Sequence, residues 1–154
     1  MNERQKTAIE DFASVITELK AAGVIRSHRY LGDIAEFLCA DAFDIVLSDN
    51  LREEGHDGMR GDVKVQVKYG GGKKTNVDLG NPDEYQEIYI VLGRESVVRT
   101  NAYNDDFIVY KLTSGEVRAM RRPSGNFSCG RGPLSREPDL RISMANLIDV
   151  AHQL

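Results

Sequence analysis

The chain contains no run of about 18 apolar residues, so the sequence offers no transmembrane helix. Its N-terminus is charged from Glu3 onward and lacks the apolar segment of a signal peptide. Cysteine is scarce: Cys39 and Cys129 stand far apart, without metal-type spacing. Cys39 falls in an apolar helical pattern and reads as a core thiol, so a reduced, cytoplasmic protein is expected. Proline is also sparse, and three of the four prolines crowd into residues 122–139, where an irregular segment is expected. There is no internal repeat and no linker. With 154 residues, 41% hydrophobic and 29% charged, the composition is that of one ordinary globular domain large enough to bury a core.

A net charge of −4 argues against a protein that simply coats DNA, but the charge is uneven. Residues 1–62 hold 7 basic and 13 acidic side chains, whereas residues 111–154 hold 7 basic and 4 acidic. Arg118, Arg121, Arg122 and Arg131 lie in an arm spanning residues 118–141, and Lys73 and Lys74 follow a triple glycine. These six are the candidate phosphate contacts; the other reading of the arm is a solvated Arg-rich loop.

Apolar periodicity predicts a helix over residues 3–22, with Ile9, Phe12, Ala13, Ile16 and Leu19 on one face, Asn2 as its cap and Gly23 as its stop. A second helix is expected over residues 30–43 and a short strand over 45–47. The continuous apolar run from Glu87 to Leu92 reads as a central strand covered on both faces. A further strand is expected over 107–112, a helical turn over 115–120 capped by Ser114, and a closing helix over 144–152. This order suits an α/β fold with a mixed central sheet flanked by helices.

Chemistry concentrates around Asp57 and Val65-Gln66-Val67-Lys68. Side chains alternate along a strand, so Val63, Val65 and Val67 form one face while Lys64, Gln66 and Lys68 form the other. A turn at Gly61-Asp62 folds Asp57 back beside Gln66 and Lys68. That brings together a carboxylate, an amide oxygen and an ammonium: two metal ligands and a cation to manage a water nucleophile. Asp62 competes for the role of Asp57 but belongs more naturally to the turn. Glu36 borders the apolar face of the second helix and can reach inward, and Asp33, one turn away, can share that role.

On these residues the chain resembles the PD-(D/E)XK nuclease superfamily, the restriction-endonuclease-like fold, in the variant where Gln replaces the middle acid, as in Mrr-like members. The resemblance spans residues 29–110. It implies a metal-dependent endonuclease hydrolysing DNA, in which Asp57, Gln66 and Glu36 hold Mg²⁺ (or Mn²⁺). Lys68 then orients or deprotonates water and offsets charge on the phosphate. A homodimer acting on double-stranded DNA is implied as well; Ile142, Met144, Leu147 and Ile148 near the C-terminus either furnish a seam or pack on the sheet. With Gln66 in place of an acid, the site has fewer charges to hold a cation and leans on substrate phosphate to complete the shell. The alternative is a nuclease-like fold that binds nucleic acid or a protein partner without cutting. No aromatic platform or base-reading helix separates DNA from RNA.

Overall fold

The computed structural model describes residues 1–50, 55–100 and 102–144. Helix α1 spans Glu3–Ala21, starting from a capping box in which Asn2 and Gln5 exchange side-chain-to-backbone hydrogen bonds, each 2.9 Å. The helix and its Asn2 cap are as the periodicity predicts, but no residue of α1 is buried, and Ile9 and Phe12 are 60% and 56% exposed. Periodicity declares a face but not the surface that covers it; here Ile16 and Leu19 are half-buried, and the edge of Tyr30 meets Phe12 at 5.9 Å between ring centroids.

Helix α2 (Tyr30–Phe43) ends at Asp44 in the left-handed conformation and packs on the sheet. Strands β1 (Val46–Leu47), β2 (Gly58–Arg60) and β3 (Val63–Gly70) follow as an antiparallel meander. After β4 (Val77–Asp78), β5 (Glu87–Gly93) pairs parallel to β3, and β6 (Phe107–Thr113) pairs antiparallel to β5. Helix α3 (Ser114–Arg118), β7 (Ser128–Cys129) and β8 (Leu140–Ile142) complete the described elements. The main sheet is six-stranded and mixed, in the order β1-β2-β3-β5-β6-β8, while β4 and β7 form a small second sheet. The protein is thus mixed α/β.

Strand β5 behaves as its composition predicts: Ile88 through Leu92 are fully buried. Tyr89 and Val91 join Ala35 and Cys39 of α2 with Val65 and Val67 of β3 on one face. Ile88, Ile90 and Leu92 point to the other face, where Leu79, Tyr85, Val117 and Leu134 cover them. Both thiols are buried, Cys39 on the α2 side and Cys129 on the opposite side.

Two details depart from the sequence-based expectation. Thr113, not Ser114, caps α3: its hydroxyl accepts from Glu116 N at 3.2 Å, and the Glu116 carboxylate accepts from Thr113 N at 2.7 Å. The arm at 118–141 is less irregular than its prolines suggest, because it contributes β7 and the start of β8. Strands of two or three residues carry too few positions to show a period. The closing helix and the seam residues Leu147 and Ile148 lie beyond Met144, outside the described residues. None of the described helices is long and apolar enough to cross a membrane.

Candidate active site at the divergence of two strands

The β2–β3 hairpin turns at Gly61, which takes a positive φ of 60°, and pairs Arg60 with Val63 and Gly58 with Val65. There β2 stops, while β3 runs on to Gly70. Gly58 permits this arrangement: a Cβ on it would lie 2.5 Å from the carbonyl oxygen of Val46, so a larger residue would push β1 away. Asp57 is held on both sides of its peptide, donating N–H to Val65 O at 2.8 Å and accepting from Ser48 N at 2.9 Å. Its carboxylate then takes over where β2 leaves off: Oδ2 accepts from Val67 N at 2.7 Å and from Gln66 Nε2 at 2.6 Å. Gln66 is 9% exposed, so the pair is built into the sheet.

Glu36 reaches the same place from α2 and is only 5% exposed. Arg26 clamps it, Nη2 donating to Glu36 Oε2 at 2.6 Å while Nη1 donates to Ser48 O at 2.8 Å. Arg29 stands further off, 3.9 Å from Glu36 Oε1. Asp33 is committed elsewhere: 1% exposed, it accepts from the backbone N–H of Arg26 at 2.7 Å and from the hydroxyl of Ser27 at 3.0 Å. It holds the turn that delivers Arg26, rather than sharing the role of Glu36. Asp62 is exposed in the hairpin turn, whereas Asp57 is the acid beside Gln66.

Burial, and then the negative charge of Asp57, raises the pKa of Glu36 against the pull of Arg26 and Arg29. Asp57 is raised by burial as well, opposed by the Val67 N–H and by the charges of Lys68, Arg29 and Arg26. Cys39, one helical turn beyond Glu36, is pushed up to about 12 by burial and by the two carboxylates. Two carboxylates are therefore held near each other in a poorly solvated place with three cations around them.

Lys68 is half-buried on the wall of a groove of about 530 Å³, together with Leu31, Tyr69, Gly70, Lys74 and Glu95. Asp57, Gln66 and Glu36 do not line this groove, whereas Lys68 does and is also near enough to Asp57 for its charge to act on that carboxylate. Lys73 and Lys74 are exposed, Lys74 on the groove wall. The arm arginines are largely spent within the protein. Arg118 pairs with Asp83 at 2.9 Å, and Arg122 donates to Asn76 Oδ1 at 2.8 Å and Ser128 Oγ at 2.9 Å. Arg131 donates to the carbonyls of Val97 and Arg99 at 2.9 and 3.1 Å. Arg121 is exposed.

The structure thus gathers Asp57, Gln66, Lys68 and Glu36, and adds Arg26 and Arg29, which sequence reasoning passed over. Their only signal was a basic pair just before an acidic helix, and the contact that gives Arg26 meaning crosses ten residues. Among the described residues no three Asp, Glu, His or Cys side chains form a metal-holding group. No protein-family model matches the chain, and no curated protein matches it.

Proposed function

We propose that the protein is a metal-dependent endonuclease with a restriction-endonuclease-like core, hydrolysing DNA phosphodiester bonds. The observation that carries this reading is the hydrogen bond from Gln66 to Asp57 at the point where β2 leaves β3, with Glu36 behind it and Lys68 two residues on. An antiparallel meander followed by a strand parallel to its third member supports the fold assignment.

The donor set suits one hard divalent cation. Asp57 and Glu36 supply two carboxylates whose pKa values burial raises against the cations around them, so a bound divalent ion would favour their charged forms, and Gln66 supplies an amide oxygen. Both described hydrogen bonds to Asp57 fall on Oδ2, so Oδ1 is the oxygen that would face a cation. Bound there, Mg²⁺ or Mn²⁺ would polarise the scissile phosphate and acidify a water. Lys68 meets the phosphate from the groove side, orients the attacking water and offsets charge developing on the phosphoryl oxygens. Arg26 keeps Glu36 ionised and oriented, and Gln66 fixes the carboxylate rotamer of Asp57. Cutting both strands of a duplex calls for two such sites, so a homodimer accompanies this proposal.

A second reading, a nucleic-acid-binding module that does not cut, is favoured by the 2.6 Å bond between Arg26 and Glu36, which already neutralises one of the two acids. Plasmid cleavage separates the two. With Mg²⁺ or Mn²⁺ added, wild type is expected to nick or linearise DNA, and Asp57→Ala and Lys68→Ala to lose this. DNA binding without cleavage, indifferent to metal, selects the module.

A further inference from the structure

The loop between β5 and β6 encloses a second polar cavity, of about 290 Å³, lined by Arg94, Ser96, Arg99, Thr100, Tyr103 and Asn104. It shares no lining residue with the Lys68 groove. Arg99 is 5% exposed and donates to the backbone carbonyls of Tyr103, Asp105 and Asp106. These neutral acceptors wrap the loop around the guanidinium. Burial lowers the pKa of Arg99 and the like charge of Arg94 adds to this, with Asp105 opposing.

Unspent donors converge on the cavity. Arg94 gives Nε to Asp106 Oδ1 at 2.9 Å; among the described residues its two terminal nitrogens make no hydrogen bond. The side chains of Thr100 and Asn104 likewise make none among the described residues. Ser96 is 6% exposed, and among the described residues its hydroxyl is the buried side-chain polar atom without a partner. Native interiors rarely leave such an atom unpaired, so the unmet hydroxyl points to a ligand or water in the working state. The acids of the loop are already engaged, Asp106 by Arg94 and Asp105 by Arg141 Nε at 2.9 Å. From outside, Arg131 holds the carbonyls of Val97 and Arg99, so the cavity is fixed before any ligand arrives.

We propose that this cavity is a binding site for a phosphate group. The terminal nitrogens of Arg94, two hydroxyls and a carboxamide present donors from several directions, with the positive charge of Arg99 behind them, which suits the acceptor oxygens of a tetrahedral dianion. The anion would relieve the repulsion between Arg94 and Arg99 and satisfy Ser96. The site lies at the end of the sheet where parallel β3 and β5 finish side by side, and Val97 N donates to Gly72 O at 3.1 Å to tie the loop to the groove. Glu95 faces the groove while Arg94 and Ser96 face the cavity. This inference stands whether or not the Asp57 site cuts DNA.

The phosphate is carried either by a small molecule or by a nucleic-acid backbone. The test measures binding of inorganic phosphate by calorimetry and by thermal shift against chloride at equal ionic strength, for wild type, Arg94→Ala and Ser96→Ala. Saturable stabilisation of wild type is expected, weakened at least tenfold in Arg94→Ala and about fivefold in Ser96→Ala. Ser96→Ala is the discriminating variant, since removing an unpaired buried hydroxyl leaves the melting temperature without phosphate unchanged or raised. A short DNA duplex is then added: displacement of phosphate assigns the site to a nucleic-acid backbone, and indifference assigns it to a small phosphorylated molecule. Either result supports the site. No effect of phosphate beyond that of chloride, or equal binding by all three proteins, overturns it and leaves a water as the partner of Ser96.

Discussion

The side-chain nitrogen of Gln66 donates to Asp57 Oδ2 at 2.6 Å, so the amide does for Asp57 what a carboxylate at position 66 could not. Gln66→Glu would set two anions in contact and remove a donor. Without divalent metal at pH 7.5 the variant is expected to lose about 1–3 kcal/mol, the cost of an unsatisfied buried acceptor. Mg²⁺ should restore more stability to the variant than to wild type. Chemical denaturation with and without Mg²⁺ measures this; equal stability of the two proteins in the absence of metal would sink the idea.

The raised pKa of Glu36 makes a signed prediction. The folded state holds this proton above the ordinary value of 4.5, so it binds more protons than the unfolded chain between 4.5 and the raised value. Wild-type stability should therefore fall relative to Glu36→Gln as pH rises through that window and stay level above it. Thermal melts of both proteins across the acid range read the difference. A wild type that gains on the variant with rising pH would contradict the assignment.

Asp33 is buried, and its carboxylate serves backbone and hydroxyl donors of Arg26 and Ser27. Asp33→Ala is expected to cost about 2–4 kcal/mol in urea denaturation, since several donors lose a charged acceptor together. On the proposed nuclease reading, it should also weaken DNA cleavage by releasing Arg26. A loss under 0.5 kcal/mol, roughly the range of an ordinary surface change, would show that the turn holds without it.

Both thiols should be inert in the native protein. Cys39 is pushed up to about 12 and Cys129 to about 11, in each case chiefly by burial. An aromatic disulfide reagent at pH 8 should label neither until urea is added, and then both. Rapid labelling of either under native conditions would place that thiol at the surface.

Because no residue of α1 is buried among the described residues, deleting residues 1–21 should leave the melting temperature of the remaining chain nearly unchanged. A drop of more than about 4 °C, which for a domain of this size is roughly 1–2 kcal/mol, would mean that the helix is covered in solution.

Much of the architecture was legible because burial leaves a compositional trace. The apolar run 88–92 announced a strand covered on both faces, and the valines at 63, 65 and 67 set which side of β3 carries Gln66 and Lys68. The neighbourhood of Asp57, Gln66 and Lys68 was legible for the same reason: a hairpin is local, and its register follows from alternation and a turn glycine. Arg26 was not, because its meaning lies in contacts with Glu36 and the Ser48 carbonyl that no period encodes. The helix at residues 3–22 and its Asn2 cap were legible from periodicity and the capping residue, but a period does not say what covers the face, and among the described residues none of α1 is buried. The arm arginines read as a basic patch, yet Arg118, Arg122 and Arg131 tie segments of chain together.

Strand β5 is paired along both edges and sealed on both faces, so no part of it moves unless the sheet opens. Lys68 sits opposite Ile90 on this strand, and Arg94 follows its last residue directly. Lys68 is carried by β3 and Arg94 by the turn that follows β5, so the two stand on neighbouring, hydrogen-bonded strands. From Ile90 to Arg94 is four residues, roughly 13 Å at the rise of an extended chain. A molecule that reached both proposed sites would have to bring its groups at an interval set by the register of β3 on β5.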